Sequence, residues 1–299
     1  MSDPAISVCG HLCNDYILAV EESPEVGTSC KVIDRQNYYG GGAANIAVGI
    51  AKLGGCAELI AAVGKDYPGS SYERHLKETG VITRLFQTST ENCSTAFMVN
   101  NAAGDQITYF EWGAGALFAT AEAPVLSFVH MATGDANFNT KVARAAEFAT
   151  FDPGQDVKYY DDSHLREIFA NINMLICNNF ESEIMCGKLG WTEEELIASV
   201  PVAILTKGKD GSVLYRNGDA VDIPACPVTL VDPTGAGDAY RAGLLTAYRR
   251  GYPLPVCCKI GAVTSSFAVE KVGTQTNLAD WEQMSERYAD HFGTLKKSE

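Results

Sequence analysis

No run of about 18 apolar residues occurs in this chain, so no segment reads as a transmembrane helix. The opening residues, MSDPAISVCGHLCNDY, lack a basic stretch followed by a long apolar core. They do not read as a secretory signal, and the expectation is a cytoplasmic protein. Basic charge is scarce: 23 Lys and Arg against 37 Asp and Glu leave a net charge of −14. That balance argues against a nucleic-acid partner, whose phosphates need a basic face. It leaves room for small phosphorylated ligands, which helix N-termini and a few local lysines can hold.

Metal and disulfide signals are missing too. Ten cysteines are present, yet no C-x-x-C occurs and no Cys/His cluster has zinc spacing. Cys9, Cys56 and Cys177 lie in apolar runs, where a thiol acts as a small hydrophobe. There is no low-complexity tract, and 46% hydrophobic with 20% charged residues is ordinary for a globular protein. A length of 299 residues suits one large α/β domain or two smaller ones.

What is present is a rhythm of short apolar runs: 5–10, 57–64, 126–132, 149–153, 173–178 and 202–208. Between most of them lie stretches with helical spacing or capping signals, at 44–54, 71–80, 139–148 and 163–172. Strands alternating with helices predict a parallel sheet covered on both faces. Two regions, 28–41 and 94–112, break that rhythm with β-branched and aromatic residues and no intervening helix. In the second, Asn101 to Asp105 reads as a hairpin turn. A small antiparallel flap over the mouth of the sheet is the expectation; edge strands of the main sheet are the alternative.

Two glycine motifs stand out. In YYGGGAANIAVGIAKLGG (38–55), Gly40, Gly41 and Gly42 lead into a helix of small residues. The stretch matches the dinucleotide fingerprint poorly, because Asn45 takes the final glycine position and no buried strand precedes it. Either the glycines let a ligand approach the backbone, with Asn45 beside it, or the helix simply packs closely through its alanines. In VDPTGAGDAYRAG (231–243), VTLV reads as a strand ended by Pro233, and Ala239 to Arg249 has helical periodicity. Gly235-Ala236-Gly237 then sits at a strand-to-helix turn whose free amides and dipole attract anions. No G-x-x-x-x-G-K-[ST] spacing occurs in the chain. Asp238 is either a dipole-compensating first-turn acid or a base held beside a phosphoryl group in transfer.

G-G-x-x-N-x-A followed by A-x-L-G, together with D-P-T-G-A-G-D-A, resembles the PfkB (ribokinase-like) family of carbohydrate and nucleoside kinases. Asp15 in GHLCND, the N-x-x-E of Asn178 and Glu181, and TKGKDGS (206–212) agree with that family in order and spacing. The resemblance spans nearly the whole chain. It implies one ribokinase-like kinase domain over residues 1–299: an α/β, three-layer fold with a mostly parallel twisted sheet between helices. A small β-sheet lid is implied, with strands within about 12–40 and 93–116.

Carried over residue by residue, the resemblance makes Asp238 the catalytic base and the amides of Gly235, Ala236 and Gly237 the anion hole. Asp15, Gly41, Gly42 and Asn45 would bind the sugar. Thr206, Lys207, Gly208, Gly211 and Gly273 would contact the nucleotide, and Asn178 and Glu181 would hold Mg2+ through water. ATP is the implied donor, and a monovalent cation such as K+ is a further option. Asp152 in FDPGQ has no assigned role.

The expected reaction is phosphorylation of a primary hydroxyl on a ribose-bearing substrate such as adenosine or cytidine. Phe97, Tyr109, Phe110 and Trp112 could stack a base, or could pack the lid on itself or on a second subunit. A free sugar (ribose, fructose or 2-keto-3-deoxygluconate) or a sugar phosphate is the alternative acceptor, with Arg35 and Lys31 as candidate phosphate contacts. A non-catalytic sugar sensor and a nicotinamide-dependent dehydrogenase are readings from other classes. Pairing two lids would cover their strand edges, so a homodimer is one option.

Overall fold

The chain opens with β1 (Ile6–Cys9), turns aside into β2 (Cys13–Val20) and β3 (Val32–Gly40), and returns through α1 (Gly42–Lys52) to β4 (Ala57–Val63). Helix α2 (Ser71–Thr79) and β5 (Ile82–Gln87) follow, then a second excursion, β6 (Ser94–Asn101) and β7 (Gln106–Glu111). A regular alternation comes next: β8 (Val129–Met131), α3 (Ala136–Ala145), β9 (Ala149–Phe151), α4 (Asp162–Asn171), β10 (Met174–Asn178), α5 (Asn179–Leu189), α6 (Glu193–Ala198) and β11 (Val202–Thr206). The hairpin β12 (Ser212–Arg216) and β13 (Asp219–Ile223) precedes three helices, α7 (Ala236–Arg249), α8 (Leu254–Ala268) and α9 (Trp281–Phe292). This computed structural model describes residues 5–103 and 106–297.

Among the described residues, nine strands form one sheet in the order β13-β12-β11-β10-β9-β8-β1-β4-β5. The run from β11 to β5 is parallel, and β12 and β13 are antiparallel additions at one edge. Side chains alternate between two cores, as the pleat requires. Leu59, Ala61 and Val63 enter one core, while Ile60 and Ala62 enter the other. Burial on both faces explains why these strands read as unbroken apolar runs rather than as alternating ones.

A second sheet, in the order β3-β2-β6-β7, takes β3, β6 and β7 from the two regions that lacked helical spacing and adds β2, which lies before the first of them. Along β2, β6 and β7 the pairs Asp15–Ala96–Phe110 share one face, and Phe97–Tyr109 share the other. The turn expected at Asn101 to Asp105 contains Gly104 and Asp105, which lie outside the described residues. β6 and β7, on either side of it, pair antiparallel.

Most helix starts carry local side-chain caps. Asp135, Asp161, Asn178, Thr192 and Asp280 each accept a bond from a backbone N–H three residues on. The Asp135 cap starts α3 at Ala136, three residues before the periodicity suggested. One sequence reading fails outright: VTLV forms no strand, and residues 224–230 have no regular structure. The chain there lies against the end of α8 instead, with the Val231 and Asp232 amides on Val269 O at 2.8 and 3.2 Å. Val231 has no sheet neighbour and stays exposed, so β-propensity alone could not make it a strand.

The two glycine motifs meet because α1 and α7 have small-residue faces. Ala43, Ala44 and Ala47 are fully buried, and a Cβ on Gly49 would stand 2.6 Å from the Ala242 methyl. Close packing through alanines was one reading of the first motif, and it is what brings Asn45 to Asp238. Among the described residues the cysteines are all free thiols, with Cys9 and Cys177 buried and Cys56 only half-buried. No described group of three or more His, Cys, Asp or Glu could hold a metal ion, and no described helix is long and apolar enough to cross a membrane.

Candidate active site

In an open α/β sheet the carboxyl ends of the strands form a natural crevice. Here His11 follows β1, Thr133 follows β8, Asp152 follows β9 and Asn178 ends β10, and all four line a cavity of about 440 Å³. The inward face of the second sheet closes its other side with Asp15, Ala96, Met98 and Phe110. A second, more apolar cavity of about 480 Å³ lies between residues 225–230 and α8. The two share Pro233 and Gly237, so the glycine turn is the wall between them.

That turn is shaped by Gly235, whose φ of 81° is a left-handed value that glycine adopts without a Cβ penalty. The Ala236 amide is spent on Pro233 O at 3.2 Å. Among the described residues the Gly235 and Gly237 amides have no protein partner, so two of the three expected anion-hole donors remain for a ligand. Asp238 follows in the first turn of α7 and faces the first cavity.

Asp238 Oδ2 accepts 2.7 Å from Asn45 Nδ2, which leaves Oδ1 for an acceptor molecule. Burial pushes the Asp238 carboxyl up to about 6, with Glu181 adding to the rise while Asn45 and Arg241 oppose it. Asp15, on β2, is raised further, to about 7, by burial and by the Asp238 charge, with Cys13 pulling down. Gly41 caps α1 at φ 91°, and a Cβ there would stand 2.4 Å from His11 O. The glycine run therefore follows β3 of the second sheet, not a strand of the parallel sheet, which removes the dinucleotide-fold reading. Asn45 Oδ1 is occupied by Thr274 Oγ1 and Gln275 Nε2, so one Nδ2 proton is what the side chain has left for a ligand.

Asn178 and Glu181 also line the first cavity, where they cap α5 reciprocally. The Glu181 oxygens accept 2.8 Å bonds from Asn178 N and Nδ2, and Arg241 Nη2 lies 3.7 Å away. Thr206, Gly208 and Gly211, three of the residues assigned to the nucleotide, border the second cavity. Lys207 does not; its neighbour Lys209 does. Gly273 lines neither cavity: its amide donates to Asp232 Oδ2 at 3.1 Å, and its neighbour Thr274 reaches the first. Of the aromatics expected to stack a base, Phe110 lines the first cavity. Trp112 packs edge-on against His11, while Phe97 and Tyr109 point outward because strand alternation puts them on the other face. Arg35 and Lys31 are exposed and line neither cavity.

Arg241 is a site residue that the sequence reading did not identify. It is 5% exposed, one turn past Asp238 on α7, and pairs with Asp152 while its Nη2 donates to Ile176 O at 3.3 Å. An arginine inside the otherwise small and apolar AYRAGLLTA was the available signal. Burial, Glu181 and Asp238 push the Asp152 carboxyl up against the pull of Arg241. His11 and Asp156, 3.0 Å apart and both buried, form a second unread pair on the same cavity.

Five described carboxylates (Asp15, Asp152, Asp156, Glu181 and Asp238) thus face the cavity against Arg241 and Lys158. The oxygen donors of Asn178 and Glu181 on this cavity are of the kind that hold a hydrated Mg2+ through its waters.

A model of the pfkB family of carbohydrate kinases matches residues 3–281. A nucleoside kinase of Methanocaldococcus jannaschii is 42% identical over 293 residues, covering 96% of this chain and 97% of that protein. One of Methanothermobacter thermautotrophicus is 38% identical, covering 97% of each. The crystal structure of the M. jannaschii nucleoside kinase superposes with a TM-score of 0.92 at 40% identity, over 97% of this chain and all of that one. A Burkholderia thailandensis nucleoside kinase in complex with inosine shares the fold at a TM-score of 0.87 and 24% identity, over 97% of this chain and 100% of that one. With a family match across most of its length and relatives above 30% identity end to end, the chain belongs to the pfkB family of carbohydrate kinases.

Proposed function

We propose that this protein transfers the γ-phosphoryl group of ATP to the primary hydroxyl of a nucleoside. The observation that carries the reading is the meeting of two cavities at Gly237, with Asp238 on the acceptor side of the wall. The acceptor hydroxyl gives its proton to Asp238 Oδ1, its oxygen attacks the γ-phosphorus, and the bond to ADP breaks. Asn45 keeps Oδ2 occupied throughout. The Gly235 and Gly237 amides, at the positive end of α7, take up charge on the transferred group. Asp15 accepts hydrogen bonds from the ribose hydroxyls. Mg2+, when bound, supplies charge neutralisation at the phosphates, and Asn178 and Glu181 would hold it through water. The donor base lies in the apolar second cavity, between the 225–230 segment and α8.

A nucleoside is favoured over a free sugar by two things. Two relatives at 42% and 38% identity over nearly the whole chain are nucleoside kinases. The acceptor cavity of about 440 Å³ also continues past the sugar-binding residues to His11, Phe110 and Tyr159, where a planar base has aromatic edges to meet. The second sheet acts as a lid that excludes water as a competing acceptor. Its outward face carries Ile107 and Tyr109 exposed, and a second copy of the chain would cover them.

The test is ADP release from Mg·ATP with inosine, guanosine, adenosine, cytidine, ribose and fructose as acceptors. At least one nucleoside should exceed both free sugars by more than ~10-fold in kcat/KM. A free sugar turning over faster than every nucleoside would reassign the acceptor, and no turnover with any of the six would overturn the reading.

A further inference from the structure

Four side chains from distant parts of the sequence form an unbroken line of hydrogen bonds ending on Asp238. His75 Nε2 of α2 lies 2.9 Å from Gln275 Oε1. Gln275 Nε2 donates 2.8 Å to Asn45 Oδ1, and Asn45 Nδ2 donates 2.7 Å to Asp238 Oδ2. The direction of this line is fixed at each joint. Gln275 Nε2 also donates 3.0 Å to the Tyr72 hydroxyl, whose own proton goes to Gly40 O at 2.7 Å. Both amide protons of Gln275 are therefore used, and turning the amide over would set its carbonyl against the oxygens of Asn45 and Tyr72. With Oε1 as acceptor, His75 must carry its proton on Nε2, and stacking on Tyr39 at 4.6 Å holds its ring in place. The Thr274 hydroxyl, shared between Tyr39 O and Asn45 Oδ1 at 2.9 Å each, adds a second donor to the Asn45 carbonyl.

We propose that His75 and Gln275 are positioning residues for the catalytic base. They orient the Asn45 amide so that it always offers Asp238 an N–H, which holds Oδ2 as an acceptor and leaves Oδ1 to receive the substrate proton. Neither residue lines the acceptor cavity, so neither touches substrate. The proposal rests on the kinase reading for the identity of that proton, while the orientation of the amides stands apart from it. The other charged groups facing Asp238 are Arg241 on α7, Glu181 on α5, Asp152 after β9 and Asp15 on β2. None of them is altered by a change at residue 275.

Two substitutions separate positioning from packing. Gln275→Glu replaces the donating amide with oxygens, and Asn45 can satisfy them only by turning its N–H toward them and its carbonyl toward Asp238. Gln275→Leu deletes the donor at similar volume. The readout is a carbon NMR titration of the Asp238 carboxyl, assigned against Asp238→Asn, together with kcat and KM for an accepted nucleoside across pH. In Gln275→Glu the carboxyl should titrate about one pH unit higher. At neutral pH kcat should fall by roughly 10-fold while KM changes less than about 2-fold. Gln275→Leu and His75→Leu should move the titration in the same direction by less, and His75→Gln, which keeps an N–H donor, should restore it. An unmoved titration in a folded Gln275→Glu, or a fall in kcat matched by a rise in KM, overturns the proposal. If Gln275→Glu does not fold, the His75→Leu and His75→Gln pair decides by the same titration. A shifted titration in a protein without turnover would count against the kinase reading alone; normal turnover with an unmoved titration would count against the positioning line alone.

Discussion

Asparagine in place of Asp238 keeps the shape of the side chain, and its carbonyl can still accept from Asn45 Nδ2, but it cannot carry a charge or take a proton. The wild-type carboxyl is held at about 6 by burial, against an ordinary 3.8 that applies in the unfolded chain. Below about pH 4 both states are protonated there, and the group costs folding nothing. As pH rises from about 4 to 6 the unfolded chain releases a proton that the folded chain keeps, so stability falls through that window and stays lower above it. The gap between 3.8 and about 6 corresponds to at most about 3 kcal/mol, and cavity water reaching this partly buried side chain lowers that to about 1–2 kcal/mol. Asp238→Asn should therefore be more stable than the wild type at pH 8 by about 1–2 kcal/mol, and equal to it near pH 4. The relief extends to Asp15, whose carboxyl the Asp238 charge helps to raise.

For a chain of this size that gain is roughly 2–3 °C in Tm. Melting curves of both proteins without ligand, compared at matched pH, isolate the effect, because every other titrating group away from the site cancels in the difference. The same substitution should lower kcat by roughly 10²–10⁴. In the wild type kcat/KM should fall about tenfold per pH unit below about 6, where Asp238 takes up its proton. A Tm difference that does not vary with pH, or an Asp238→Asn protein that melts below the wild type at pH 8, would refute the assignment of Asp238 as a buried, strained base.

Two further outcomes are expected. Arg241→Met removes the one guanidinium beside Asp152 and Glu181 and leaves their buried carboxylates uncompensated, so it should cost about 3–5 kcal/mol in a denaturant titration, more at pH 8 than at pH 5. Tyr109→Asp places a charge on the outward face of the second sheet, opposite Phe97; if that face pairs two copies, light scattering should give twice the 32.1 kDa chain mass for the wild type and a single mass for the variant.

The parts of the molecule that could be read from sequence are those whose physics is local. Runs such as NMLICN become buried parallel strands because both faces of that sheet are covered, and a continuous apolar run has few other ways to satisfy itself. Asn178 and Asp135 cap their helices with side chains three residues from their partners, a local signal that periodicity alone missed at Asp135, where it put the helix start at 139. The glycine turn at Gly235 is legible for the same reason, since its backbone shape and free amides follow from the residues within it. VTLV misled because strand propensity needs a pairing partner, and at that point the neighbour is the end of α8. Arg241, Asp152, Gln275 and the His11–Asp156 pair were unreadable for the complementary reason: their meaning lies in partners 65 to 230 residues away, and no spacing rule reaches across a fold.

The opposition between an anion-binding turn and an adjacent carboxylate resolves through geometry. The turn and the carboxylate share one wall: Gly235 and Asp238 face the first cavity, Ala236 faces the second, and Gly237, with its amide free, belongs to both. A side chain at Gly237 would meet Arg241 Nη1 at 2.4 Å, so the position is bare for a structural reason as well. Arg241 ties the wall to β9 and α5 through Asp152 and Glu181, and Asn45 ties it to α1 and to the Thr274–Gln275 segment. Asp238 is thereby held from both sides by groups that leave one of its oxygens unengaged. Its raised affinity for a proton is the physical cost of that burial, and in the proposed transfer it is what suits the carboxylate to take a proton from an alcohol as the phosphoryl group moves. An exposed aspartate of ordinary acidity in the same turn would stabilise the helix better and serve the reaction worse.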